Sequence, residues 1–385
     1  MSQLGLGLGL TRGGGVPFNP LSLDPYLLFD TRSSMIGTLE NPTLDLDPSK
    51  PDTLNVITAT RAGTATYTDA NGVIQTASPD TVRVDHVDSV PMILVEPSAT
   101  NLVTYSEDFS NAAWAKSNVT LTADYGIAPD GTNTSTRIEY PAGSSYIAES
   151  VTPATYTASA FVKGVSGEVV KFGVGANIGQ GVEFTLNGQW QRIEHTGTGG
   201  TIFFSALGGN TATDFEIWGA QLETGSVATS YIPTSGSTVT RQADDLSITG
   251  SDFTDFYNQS EGTFYVEVID RTPTESSAYV AGPTMNQTFL YSNQALAVDS
   301  YDGVNFQRIS GVVANELFRA AATYDPTSKK SSLNGTTLAD GPHNGNWADA
   351  TNLNIGWGGS GNLSYPHLNG HIKRLIYWPV SSDSL

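Results

Sequence analysis

An all-β chain of tandem antiparallel β-sandwiches (jelly rolls) with an extended N-terminal arm is what this sequence predicts, on three observations. Eight Asn-Gly or Asp-Gly pairs punctuate it, beginning at Asn71, Asp130, Asn187, Asp302, Asn334, Asp340, Asn344 and Asn369. Glycine takes φ > 0 freely and Asn or Asp accept it best among the rest, so each pair reads as a hairpin turn. Between them lie short β-branched and aromatic runs, such as Gly262 to Asp270, Leu353 to Trp357 and Ile372 to Trp378. No amphipathic stretch of helical period persists past about two turns.

Composition agrees with that class. A chain of 385 residues exceeds what one core usually serves, and 38% hydrophobic with 10% aromatic residues supports packed structure. Forty glycines and only 15% charged residues favour turns and strands over helices. The net charge of −20 repels phosphate backbones and anionic surfaces, so nucleic acid is not an expected partner. Without cysteine there is no disulfide, thiolate nucleophile or Cys-based metal site.

The first 25 residues alternate Leu4, Leu6, Leu8 and Leu10 with glycine, then continue through Gly13 to Gly15 and Pro17. Extended, such a segment presents leucines on one face and bare backbone on the other, which suits a particle-anchoring arm docked on a partner; the alternative is a terminus without fixed structure. It lacks the early positive charge and continuous apolar run of a secretory leader. No run approaches the roughly 18 apolar residues of a membrane helix, so a soluble product made in the host cytoplasm without membrane insertion is expected. The expected organisation is an arm over 1–25, a small β region for particle attachment over 26–100, a jelly roll over 101–235, a linker over 236–260 and a second sandwich over 261–385.

Three stretches carry a resemblance. They are TATRAGTATYTDANGVIQT from Thr58 to Thr76, ILVEPSATNLVTYSEDFSNAAWAK from Ile93 to Lys116, and EIWGAQLETGSVATSYIPTSGSTVTRQAD from Glu216 to Asp244. Together they resemble the head-fibre, tail-fibre and minor structural proteins of tailed phages, whose middle module is a jelly roll similar to carbohydrate-binding modules. Pro97-Ser98-Ala99 departs from the more charged residues of that pattern, and Ala59 stands before Arg61 where a Phe-Thr pair is usual. The stretches Leu317 to Gly341 and Leu368 to Pro379 resemble the concanavalin-like or laminin-G-like sandwich.

The resemblance implies a non-enzymatic component of a virion surface, a fibre or spike that binds a host glycan, in contact with other capsid or tail proteins. A homotrimer is the leading expectation, since repeated subunits turn weak single-site binding into avidity. Two alternatives stand beside it: a capsid decoration protein that stabilises the head without a ligand, and a glycan depolymerase.

Glycan hydrolysis needs two carboxylates flanking one bond, but Glu267 and Asp270 are three apart in a strand and fall on opposite faces. The five histidines, His86, His195, His343, His367 and His371, show no nucleophile-elbow context, and Asn369-Gly370 breaks the His367/His371 spacing with a turn. Gly173, Gly175 and Gly179 are not followed by a helix and read as close sheet packing or turns. Asp302 and Asp325 sit in turns that could coordinate Ca2+, although no complete ligand series is present. For sugar binding the candidates are Trp347, Trp357 and Tyr365 as stacking rings with Asn346 and Asn362 as hydrogen-bonding amides. Trp357, ending a strand, also reads as core. Trp114 and Trp218 are expected to be buried.

Overall fold

The computed structural model describes residues 39, 41–141, 144–271, 278–282, 288–293, 297–302, 304–337, 341–343, 350–358 and 367–382. Strand dominates throughout, in antiparallel sheets that form two sandwich-like lobes. The leucines of the expected arm, Leu4, Leu6, Leu8 and Leu10, lie outside the described residues.

The first lobe is a jelly roll folded from one eight-stranded sheet. Its spine is the 19-residue strand Tyr146–Gly164. This strand pairs with Gln191–Ser205 along most of its length, with a shift between Ser150 and Ala154, and with Asp214–Thr224 over its second half. Such an irregularity bends a strand and lets one sheet curl around its own core. The core holds Phe109, Trp114, Phe172, Phe204, Phe215 and Leu222, drawn wholly from residues 103–222. Close approaches inside the curl account for several glycines. A Cβ on Gly173 would meet His195 Nδ1 at 2.6 Å, and one on Gly199, at φ +151°, would meet the Gly175 carbonyl carbon at 2.0 Å.

The second lobe is a two-sheet sandwich, and its membership differs from the expected boundaries. One sheet runs Thr336–Thr337, Ser328–Leu333, Leu317–Tyr324, Gly262–Asp270, Gly370–Trp378, Val90–Val95 and Arg83–Val87. Leu44–Leu46 also pairs with Gly370–Trp378, so two N-terminal strands share one edge of that strand end to end. The facing sheet runs Thr58–Thr60, Asp245–Thr249, Asn352–Ile355, Ala278–Gly282, Thr288–Asn293, Ala297–Tyr301 and Phe306–Ser310. The strands Leu44–Leu46, Thr58–Thr60, Arg83–Val87 and Val90–Val95 therefore belong to this sandwich rather than to a separate β region over 26–100, while Ala65–Thr68 and Ile74–Ala77 pair as a two-stranded sheet of their own. The alternating apolar residues of Leu44–Leu46 and Val90–Val95 complete the sandwich core, with Leu44, Leu46, Ile93 and Val95 packed among Phe264, Val266, Ile372 and Tyr377. Nor is 236–260 a free linker, because Asp245–Thr249 is paired on both sides within the sheet and buries Leu246 and Ile248.

The jelly roll is thus an insertion into the sandwich. The chain leaves after Val95 and returns at Asp245, and the two crossings, Ala99–Asn101 and Val239–Arg241, pair with each other as a two-stranded neck. Asn101 anchors the neck with its whole amide: Nδ2 donates to the carbonyls of Ala220 and Ile232, and Oδ1 accepts from Val103 N and Leu222 N.

The turn chemistry holds in part. At Asn334-Gly335 both residues have positive φ, 50° and 86°, as a two-residue primed hairpin requires. At Asn71, Asp130 and Asn187 only the following glycine is positive. The loop from Asp69 to Val73 is longer and is held by the Asp69 carboxylate, which accepts from Asn71 N and Val73 N.

Candidate functional site

Five charged side chains from distant segments meet, almost wholly buried, where the neck joins the sandwich: Arg61, Arg83, Glu96, Arg241 and Asp244. Arg61 Nη1 donates to Asp244 Oδ1 at 2.8 Å, Arg83 bridges Asp244 and Glu96, and Arg241 Nη2 lies 3.5 Å from Glu96 Oε2. The backbone joins in, since Glu96 N donates to Asp244 Oδ2 and Asp244 N to the Glu96 carbonyl. The jelly roll enters through Ser230, whose N and Oγ both donate to Glu96 at 2.6 Å. Burial alone would push the Glu96 carboxyl up, but the Arg241 and Arg83 guanidiniums override it and hold it well below the usual carboxylate range. All three stretches that carry the phage resemblance contribute here, through Arg61, Glu96, and Ser230, Arg241 and Asp244. Their charges do structural work at a joint; every acid is matched by arginine.

A second arrangement lies on the outer face of the jelly-roll sheet. Arg137, Glu216 and Lys163 sit side by side on three adjacent strands, Arg137 registered with Glu216 and Glu216 with Lys163. Lys163 Nζ is 3.0 Å from Glu216 Oε1, and Ser135 Oγ donates to Oε2 at 2.6 Å. An aromatic ring stands at each end of this row. The Arg137 guanidinium lies 5.2 Å from the Tyr125 ring centroid, and Lys163 Nζ lies 5.7 Å from that of Trp190. The Trp190 indole N–H donates to the Ile127 carbonyl at 2.9 Å, which fixes its orientation. Tyr125 is 50% and Ile127 59% exposed, among the largest apolar exposures described. Rings beside fixed donors and acceptors are the elements that hold a sugar.

Of the sugar-site residues expected from sequence, only Trp357 is described; Trp347, Tyr365, Asn346 and Asn362 lie outside the described residues. Trp357 is half-buried, donates its indole N–H to the Leu246 carbonyl at 2.6 Å and stacks on His367 at 6.1 Å. That ring is tied to the neighbouring strand Asp245–Thr249. Trp114 and Trp218 are each 1% exposed, inside the jelly-roll lobe.

The remaining candidates resolve into structural contacts. Phe264, Val266 and Val268 point into the core, and Glu267 faces away from it to meet Lys373 Nζ at 2.9 Å. Asp270 has the core-facing parity, so the two acids stand on opposite faces as expected. His367 Nε2 pairs with Asp245 at 2.7 Å and His371 Nε2 with Asp85 at 2.8 Å, on separate partners. Asp325 accepts from the backbone N–H groups of Thr327 and Ser328. Asp302 faces His343 at 3.4 Å and the buried Lys329 ammonium at 3.5 Å. No group of three His, Cys, Asp or Glu able to hold a metal occurs among the described residues, and no described helix is long and apolar enough to cross a membrane.

No family model matches the chain, and no curated protein matches it. Among solved structures it is similar to a Trypanosoma rangeli sialidase mutant displaying trans-sialidase activity, at 10% identity and a TM-score of 0.30 over 37% of this chain and 25% of that one. It is also similar to the Ruminococcus gnavus IT-sialidase CBM40 bound to α2,6-sialyllactose, at 19% identity and a TM-score of 0.27 over 33% of this chain and 80% of that one. The chain thus spans about a quarter of the length of the sialidase. Likenesses this slight bear on neither its ligand nor its activity.

Proposed function

We propose that this chain is a non-enzymatic structural component of a phage virion, an exterior fibre or spike whose jelly roll binds a glycan of the host surface. The observation that carries the reading is the outward row Tyr125–Arg137–Glu216–Lys163–Trp190, with its aromatic ends and fixed charges. Behind that row, the buried ionic joint and the paired neck hold the jelly roll at one orientation on the sandwich. A rigid mount suits an adhesive module, because little orientational freedom is then lost on binding. The virion assignment rests on the three stretches quoted above, which contribute Arg61, Glu96, Ser230, Arg241 and Asp244 to the joint. Its acidity would also keep a crowded particle surface soluble.

Two measurements test this. Antibody labelling of purified particles should place the chain on their exterior; its absence from particles sinks the virion assignment. The purified chain should bind host surface polysaccharide without shortening it, and the Trp190→Ala and Tyr125→Ala variants should lose that binding. Cleavage of the polysaccharide would replace adhesion by depolymerase chemistry.

A further inference from the structure

The cleft between the two lobes gathers a different chemistry. It has a volume of about 200 Å³, room for one sugar unit rather than a chain, and its walls include Tyr67, Thr68, Asp85, Phe161, Arg192 and Arg271. Arg192 makes no ion pair among the described residues. Its Nη2 donates to Ser159 Oγ at 2.9 Å, its guanidinium lies 5.6 Å from the Phe161 ring centroid, and its shielded Nε has no hydrogen-bond partner. Arg192 is half-buried, and Glu223, Glu194 and Glu96 act on its guanidinium only from a distance, so an anion supplied from outside would be its first directly bonded counter-charge.

The surroundings reinforce this. Arg271 lines the same cleft; its Nη1 donates to the Ala228 carbonyl at 2.5 Å and its Nη2 lies 3.3 Å from Glu194, itself substantially exposed, so solvent screens that pair. The neighbouring joint sets three arginines against two carboxylates. Of the other acids near Arg192, Glu223 is hydrogen-bonded by Thr229 and Gln221 instead. Asp85 and Glu96 line the cleft as well, but Asp85 is paired with His371 and Glu96 with Arg83 and Arg241, which leaves Arg192 and Arg271 as the wall groups without a close buried carboxylate.

We propose that the interlobe cleft binds an acidic sugar unit through its carboxylate, with Arg192 and Arg271 as counter-charges. Guanidinium is suited to this by its planar fork, which matches a carboxylate. Tyr67 and Phe161 offer apolar surface to the sugar ring, and Asp85 accepts from its hydroxyls. This site is separate from the outward row on the jelly roll and stands or falls without it.

The test is calorimetric or NMR titration of the full chain with glucuronic acid and N-acetylneuraminic acid, using glucose and acetate as controls. At least one acidic sugar should bind about tenfold or more tighter than both controls, and its affinity should fall as salt rises. R192Q should weaken it by about tenfold or more. Tyr125→Ala and Trp190→Ala should leave it unchanged. Equal binding of glucose would remove the role of charge, and equal binding of acetate would reduce the site to a nonspecific anion trap; either overturns the proposal, as does the absence of binding by both acids. Retained affinity in a folded R192Q chain overturns it too, and if R192Q melts below the assay temperature, R271Q decides on the same criterion.

Discussion

Arg61 and Asp244, 183 residues apart in sequence, meet at 2.8 Å with about 1% of each side chain exposed. Arg61 belongs to the N-terminal segment that completes the sandwich, and Asp244 closes the return from the jelly roll. Around them Arg83, Arg241 and Glu96 satisfy one another only when all these segments are in place. A buried ionic cluster is weak evidence for added stability, because desolvation offsets most of the Coulomb gain. Its effect here is positional: any other docking of the lobes would leave buried charge unpaired.

Asp244→Ala should therefore be far more damaging than its single hydrogen bonds suggest. It strands Arg61 and Arg83 beside one remaining acid, and breaking a buried pair from one side costs about 3–5 kcal/mol. Urea unfolding of the variant measures this; a loss under about 1 kcal/mol, typical of an exposed pair, would mean that the joint is wet.

Acid should act on the joint through Glu96. Its folded pKa lies below its unfolded value, so its stabilising contribution is complete above the unfolded carboxyl range near about 4.3 and disappears as pH falls through that range towards the folded pKa. Glu107 and Glu223 have the opposite sign: burial raises both, so their penalty at neutral pH fades as the solution is acidified towards the ordinary range. Stability should hold or rise slightly from about pH 7 to about pH 5 and fall below about pH 4. The stability gap between the parent chain and Glu96→Gln should shrink across that last interval, and a gap constant down to about pH 3 would contradict the assignment.

The outward row should separate binding from stability. Tyr125 is 50% exposed and Trp190 half-buried, so Tyr125→Ala should change unfolding free energy by only about 0.5 kcal/mol while binding to host polysaccharide is lost. Trp190→Ala, which also removes the bond to Ile127, should cost about 1 kcal/mol more. A Tyr125→Ala chain that binds as well as the parent would remove the row from the adhesive surface.

The individual strands were legible because their signal is local. Gly262–Asp270 is found with the bounds its β-branched run implies, and Asn334-Gly335 makes the primed turn its φ values demand. The partnership of 44–95 with 245–378 was not legible, since Ile93 and Ile372 are paired across nearly the whole chain and period-two alternation does not name a partner strand. The aromatic row escaped for a related reason. Tyr125 and Trp190 lie outside the strands, and what brings them to one face is the cross-strand register of Arg137, Glu216 and Lys163. The Trp beside the Asn187-Gly188 turn was the available cue, because a large ring next to a surface turn has little core to enter.

That discontinuous architecture makes a prediction about fragments. The jelly-roll core draws only on residues 103–222, and the paired neck closes its ends, so a fragment spanning 99–241 should fold alone and unfold in one cooperative transition. A fragment spanning 245–382 should not. It lacks Leu44, Leu46, Ile93 and Val95 from its core, and it leaves one edge of Gly370–Trp378 without the strands Leu44–Leu46 and Val90–Val95. A long apolar strand with bare N–H and C=O groups along its edge is a template for self-association, so this fragment should aggregate or show a broad transition. Supplying residues 39–98 as a separate peptide should restore a cooperative melt, because the missing strands then pair in trans. A sharp, reversible unfolding transition in the 245–382 fragment by itself would show that the sandwich does not depend on its N-terminal strands.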